Sequence, residues 1–118
     1  MNRNDGLLLA LLALFALSPC MVSAATRPSS DLCAAEAIAQ ANKLLAFHSD
    51  NDNRAEIDGR AKPLPSIANP ANPKQRFDVL EVWGYIYKGK YRMRLEYFRL
   101  SDGECVLMGQ EILEHANL

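Results

Sequence analysis

Cys33 and Cys105 place the strongest constraint on how this chain can fold. The third cysteine, Cys20, stands in a different setting. A short apolar run, Leu7 to Leu17, leads into Ser18-Pro19 and then into the small residues Ser23-Ala24-Ala25. That pattern reads as a secretory signal peptide over residues 1–25. Cleavage after Ala24 or Ala25 removes Cys20 and leaves one cysteine pair in a mature chain of roughly 93 residues. An exported chain meets an oxidising compartment, where such a pair forms a disulfide. The bridge closes a loop of about 72 residues. The chain-entropy relation gives a loop of that size about 4 kcal/mol. A domain this small exposes much surface for its volume and gains from such a staple.

The apolar run falls short of the roughly 20 residues a spanning helix needs. No stable membrane span is therefore expected after cleavage. Leu17-Ser18-Pro19-Cys20 also resembles a lipobox, so anchoring through Cys20 is the alternative; proline stands where that motif has Gly or Ala. The sequence contains no Asn-x-Ser/Thr acceptor, which suits a bacterial envelope protein. The expected location is the periplasm or the secreted space. Residues 26–118 have the length of one domain. A net charge of -1 lacks the global basicity of a nucleic-acid binder, and nucleic acid is not an expected partner.

Leu32 to Phe47 reads as a helix. It is rich in Ala, Leu and Gln without Gly or Pro, and Ser30 or Asp31 precedes it as a cap. Cys33, Ala37, Ile38, Ala41, Leu44, Leu45 and His48 recur at three- and four-residue steps, which gives an apolar stripe. Arg54 to Lys62 reads as a weak edge strand. Pro63 to Pro73 reads as a proline-rich loop, pinned by Leu64 and Ile67, because its repeated Ala-Asn-Pro disfavours helix before each proline. Phe77 to Tyr87, 90–100 and 104–113 read as strands from their aromatic and β-branched content and from the turn residues between them.

The class is then α+β: one N-terminal helix packed on a curved antiparallel sheet of three to four strands, a cystatin-like arrangement. The resemblance stops at arrangement. Cystatins carry Gln-x-Val-x-Gly at a hairpin tip, whereas Leu80-Glu81-Val82-Trp83-Gly84 matches only Val82 and Gly84 and lies within a strand. It therefore carries no inhibitory activity over to this chain.

Register follows from burial. With Lys88-Gly89 as a two-residue hairpin loop, Ile86, Gly84, Val82 and Leu80 face Tyr91, Met93, Leu95 and Tyr97 on an apolar face under the helix. A three-residue loop mixes the two faces. At the second turn, Ser101-Asp102-Gly103 suits a three-residue loop with Gly103 left-handed, which turns Cys105 and Leu107 inward and lets Cys105 reach Cys33. Gly109 marks a bulge, since unbroken alternation brings Glu111 inward.

The opposite face is the candidate binding surface: Trp83, Tyr85 and Tyr87 beside Arg94, Arg92 and Lys90. Aromatic rings next to cations form cation–π pairs, and Trp, Tyr and Arg dominate interaction hot spots. The expected partner is an unknown protein or a second copy of the chain. From Lys74 to Arg99 seven bases stand against three acids, a pattern that reads as a solvated sheet face.

No catalytic residue, cofactor or metal is expected. His48-Ser49-Asp50-Asn51-Asp52 opens like a calcium loop, but Ala55 replaces the glycine that loop needs. Glu81 and Glu96 fall opposite each other in this register, yet an open face excludes little water. Diagonal arginines also neutralise both. No nucleophile elbow, phosphate loop or Cys-x-x-Cys is present. The chain reads as a binding module, possible versions being an inhibitor or immunity-type role, with a structural, self-associating envelope protein as the alternative.

Overall fold

The structure, a computed structural model, describes residues 27–115. The signal-peptide and lipobox readings concern residues outside that range. The elements are α1 (Ala34–His48), β1 (Ala55–Ile57), β2 (Lys62–Asn69), β3 (Asn72–Ile86), β4 (Gly89–Arg99) and β5 (Cys105–His115). All five strands form one antiparallel sheet in the order β1-β3-β4-β5, with β2 also against β3. The class is α+β, as the residue pattern implies. The strand count exceeds the expected three to four because the proline-rich segment is not a loop.

That segment is β2 and the start of β3, joined at Pro70-Ala71. It lies along the same edge of β3 as β1: β1 meets Gly84–Ile86 and β2 meets the stretch from Asn72 to Glu81. Proline suits an edge strand, where every second backbone N–H points away from the sheet. Pro65 falls inside the register slip between Leu64 and Ile67, where the regular ladder with β3 is interrupted and no N–H is required of it. Proline content forbids helix here but not an edge strand.

α1 starts two residues later than Leu32. Cys33 is its N-cap residue and makes no side-chain capping bond. Ser30 instead accepts the Leu32 N–H on its hydroxyl, in a turn before the helix. Cys33, Ala37, Ala41 and Leu45 form the buried stripe, and His48 at its end is exposed. They pack on Leu80, Val82, Met93 and Leu95, all fully buried. Each large side chain of that set contributes about 1.5–3 kcal/mol on burial. Close seating of the helix depends on Gly84. A Cβ there would lie 2.7 Å from Leu45 Cδ2 and 3.0 Å from Met93 Cε.

The first hairpin corrects the expected pairing. Its loop is Tyr87-Lys88, and Ile86 pairs with Gly89, Gly84 with Tyr91, Val82 with Met93 and Leu80 with Leu95. The shift is two residues, so every side chain keeps its expected face while its cross-strand partner changes. Gly89 is paired, not in the loop, and the Tyr91 ring lies over it: a Cβ would stand 3.1 Å from Tyr91 Cε2. Tyr87 therefore takes the left-handed loop position, at φ 53°.

The second hairpin matches expectation. The Gly103 N–H donates to Leu100 O and the Leu100 N–H to Glu104 O, with Gly103 at φ 91°. Tyr97 then pairs with Leu107 and, past a register shift, Glu96 pairs with Gly109. Met108 is the extra residue of that bulge. Beyond it Glu111 faces Arg94 on the outer side, and Ile112 faces Met93 on the core side. Cys105 accordingly reaches Cys33: the two form a disulfide with Cα atoms 5.9 Å apart.

Residues 27–29 close the β2 edge. Pro28 bridges to Pro65, the Ser66 N–H donates to Arg27 O at 2.8 Å, and the Ser29 N–H donates to Leu64 O at 3.2 Å. The β2–β3 register slips between Leu64 and Ile67. At that slip the Ser29 hydroxyl accepts the Val79 N–H at 2.7 Å. A buried backbone donor left open by the irregularity is thus satisfied.

Candidate functional site

The face of the sheet opposite α1 holds the predicted binding residues, in two groups. Tyr85 pairs with Lys90 and Trp83 with Arg92. These four are neighbours, although the expected partners were Arg92 for Tyr85 and Arg94 for Trp83. Lys90 Nζ lies 4.6 Å from the centre of the Trp83 ring. An exposed contact of this kind stabilises by about 0.5–1 kcal/mol. Tyr87 stands apart at the hairpin tip, 76% exposed, with Lys88 Nζ at 5.5 Å and the Arg54 guanidinium at 5.9 Å from its ring centre.

Arg94 belongs to a different arrangement. Its Nε donates to Glu81 Oε2 at 3.1 Å, and Nη1 lies 3.8 Å from Glu111. Glu81 also accepts the Trp83 indole N–H at 3.0 Å. Glu81 is buried, so two donors on one carboxylate keep its charge satisfied. Arg94 thereby holds the sheet together more than it offers a free cation. The same register separates the two glutamates. Glu81 faces Arg94, while Glu96 faces Val79 and Gly109, so they form no carboxylate pair.

Arg92 is the unsatisfied member. It lies between Trp83 on β3 and Leu113 on β5, and its Nε is buried with no hydrogen-bond partner. His115 joins this group from β5, opposite Lys90, with its ring centre 5.1 Å from that of Trp83. Its Nε2 is likewise buried without a partner. His115 was missed because strand β5 was expected to stop at residue 113. Carrying the alternation past the Gly109 bulge places it on the outer face. Beta2 lies in the sheet and not across this face, so the prolines do not cover Trp83 or Arg92.

The His48–Asp52 run closes the helix end. Asp52 takes the Arg54 guanidinium at 2.7 Å, which holds its carboxyl down to about 2. His48 packs edge-on to Tyr91, with ring centres 5.6 Å apart. No group of three or more metal-ligating side chains converges among the described residues.

A second charged region is not visible in the sequence. The run of bases from Lys74 to Arg99 reads as a solvated face, but Lys74, Arg76 and Arg99 converge with Arg27 around one cavity. The linear sequence gives no sign of this, since Arg27 and Arg99 come from opposite ends of the domain.

Fold and site together define a disulfide-bonded α+β domain: one helix on a five-stranded antiparallel sheet, with an uncovered aromatic and basic face. Compared with known protein families, characterised proteins and solved structures, the chain matches none.

Proposed function

We propose that this protein is a small exported binding module, periplasmic in a bacterial envelope, that engages a protein partner through Trp83, Tyr85, Lys90 and Arg92. The observation that carries this reading is the accessible cluster itself: Lys90 lies 4.6 Å from the Trp83 ring centre, Tyr85 is exposed next to it, and no element of the sheet crosses them. Aromatic rings beside cations are the side chains that dominate interaction hot spots. Tyr85 and Trp83 supply apolar contact, and Lys90 and the exposed part of Arg92 supply charge. An inhibitor or immunity-type role is one version of this activity, and the site calls for neither catalysis nor a cofactor. The Cys33–Cys105 bridge is compatible with an oxidising exported compartment. No helix among the described residues is long and apolar enough to cross a membrane.

In our reading the architecture is cystatin-like in outline. Its support is the path of the chain: residues 27–29 lie against β2, α1 crosses the sheet, and the strands return as an antiparallel meander. Protease inhibition is not part of the proposal.

The test compares capture by two proteins, wild type and the Tyr85→Ala/Lys90→Ala double variant. Both replaced side chains are exposed, so the expected loss of stability is small, about 0.5–1 kcal/mol from the Lys90–Trp83 contact. A partner held by wild type and lost by the variant, at a temperature where both are fully folded, supports the reading; equal retention by both contradicts it.

Self-association is the second reading, and β5 favours it. This strand of 11 residues is a sheet edge, with Met108 and Leu113 exposed. Such an edge is a template for strand addition. The bulge at Met108-Gly109 and the exposed charges of Glu111 and Glu114 work against it. Sedimentation separates the readings: a mass independent of concentration removes self-association.

A further inference from the structure

The β3–β4 ladder ends at Asp78↔Tyr97. Beyond that rung β3 continues back to Asn72 beside β2, while β4 continues to Arg99 beside β5. A cavity of about 370 Å³ opens where the two strands part. Its walls carry Arg27, Lys74, Arg76 and Arg99 against one acid, Asp78, with Phe98 as an apolar side.

Two of the four cations are held in place. Arg76 donates from Nε to Ser66 Oγ at 3.0 Å and from Nη2 to Ser66 O at 2.7 Å. Neither acceptor is a carboxylate, so its charge is not neutralised by the contact. A guanidinium carries five N–H donors, and those not aimed at Ser66 remain available. Arg99 donates from Nε to Asp78 Oδ2 at 2.8 Å. Asp78 is itself fixed, because its other oxygen accepts the Ser30 N–H at 2.9 Å. Arg27 and Lys74 are exposed, and their side chains make no hydrogen bond or ion pair to the described residues. Four positive charges meeting one negative charge leave a local excess of three. An excess of this kind, gathered in a cleft, draws an anion and costs stability when empty.

We propose that this fork is a binding site for a phosphomonoester or phosphodiester group. Phosphate brings up to two negative charges and several acceptor oxygens, which suits two oriented guanidiniums better than one carboxylate would. The cavity is at the lower end of the size range of small-molecule sites. It has room for a phosphate with a short polyol attached, the polyol resting on Phe98. The phosphate source is either a soluble ester or a lipid headgroup. This site is on the fork and is separate from the Trp83–Arg92 face.

The experiment titrates glycerol 3-phosphate into the intact disulfide-bonded protein and follows backbone amide resonances. In parallel, co-sedimentation compares phosphatidylglycerol with phosphatidylcholine vesicles. Saturable shifts at Ser66, Arg76 and Arg99 are expected. Arg27→Ala/Lys74→Ala weakens binding by at least about tenfold, as expected for lost charge-assisted contacts. Lys62→Ala, a charge removed from elsewhere on the sheet, leaves binding unchanged. Binding of the free ester without vesicles identifies a soluble ligand; preferential sedimentation with phosphatidylglycerol, lost in the double variant, identifies a headgroup. The proposal is overturned if neither probe binds saturably, or if binding survives intact in the double variant.

Discussion

Leu45 occupies the space that any side chain at position 84 would need. Its Cδ2 lies 2.7 Å from where a Cβ on Gly84 would stand, with Ile57 Cδ1 at 3.2 Å on another side. The glycine thus sets how close α1 lies to β3. Gly84→Ala forces the helix or Leu45 to move, and overpacking of this kind costs about 1–3 kcal/mol. Urea unfolding of Gly84→Ala should show that loss. Leu45→Ala alone should cost about 2–5 kcal/mol, because Leu45 is fully buried, and the double variant should cost less than the sum of the two single changes, because each relieves the other's crowding.

The disulfide joins the N-cap residue of the helix to the first residue of β5. Cys33→Ala/Cys105→Ala should lower stability by about 2–5 kcal/mol. Intact mass before and after reduction checks that the two thiols are paired, and thermal unfolding measures the cost.

Ser29 supplies an acceptor that no neighbouring strand provides. Ser29→Ala removes the acceptor from Val79 N–H, a buried group, at a cost of about 1–3 kcal/mol. Hydrogen exchange at the Val79 amide should accelerate, while exchange at Leu95 in the centre of the sheet stays slow.

Alkali should act through Tyr97. Burial, and after it the Glu36 carboxylate, push its hydroxyl up from 10.0 to about 12. A folded-state value above the unfolded one means that the neutral hydroxyl stabilises the fold below pH 10. That contribution is lost as pH rises from 10 towards 12. Melting temperature should therefore fall across this window, and Tyr97→Phe should flatten the fall.

Much of this fold is legible in the residues because burial has a parity. Leu80, Val82, Met93 and Leu95 alternate with polar or aromatic neighbours, and a two-residue error in the hairpin leaves that alternation unchanged. The faces, the left-handed Gly103, the bulge at Gly109 and the Cys33–Cys105 bridge follow from it. Cross-strand partners are less legible, since they depend on which residues form the loop. Gly89 looks like a turn residue, yet it is glycine to admit the Tyr91 ring. Pro63 and Pro65 look like loop residues because helix-breaking and edge-strand prolines have the same composition. The fork was hidden for another reason: Arg27 and Lys74 meet only through the pairing of residues 27–29 with β2.

Side-chain footprinting of the partner-bound protein separates the outer sheet face from every other surface. The wild-type protein is labelled free and in its captured complex, and modification is measured at each aromatic side chain. The outer-face reading predicts strong protection of Tyr85 and Trp83, with Phe47 on the helix labelled equally in both states. Unchanged labelling of Tyr85 and Trp83, with protection instead on the helix or in the Arg27–Arg99 fork, contradicts it.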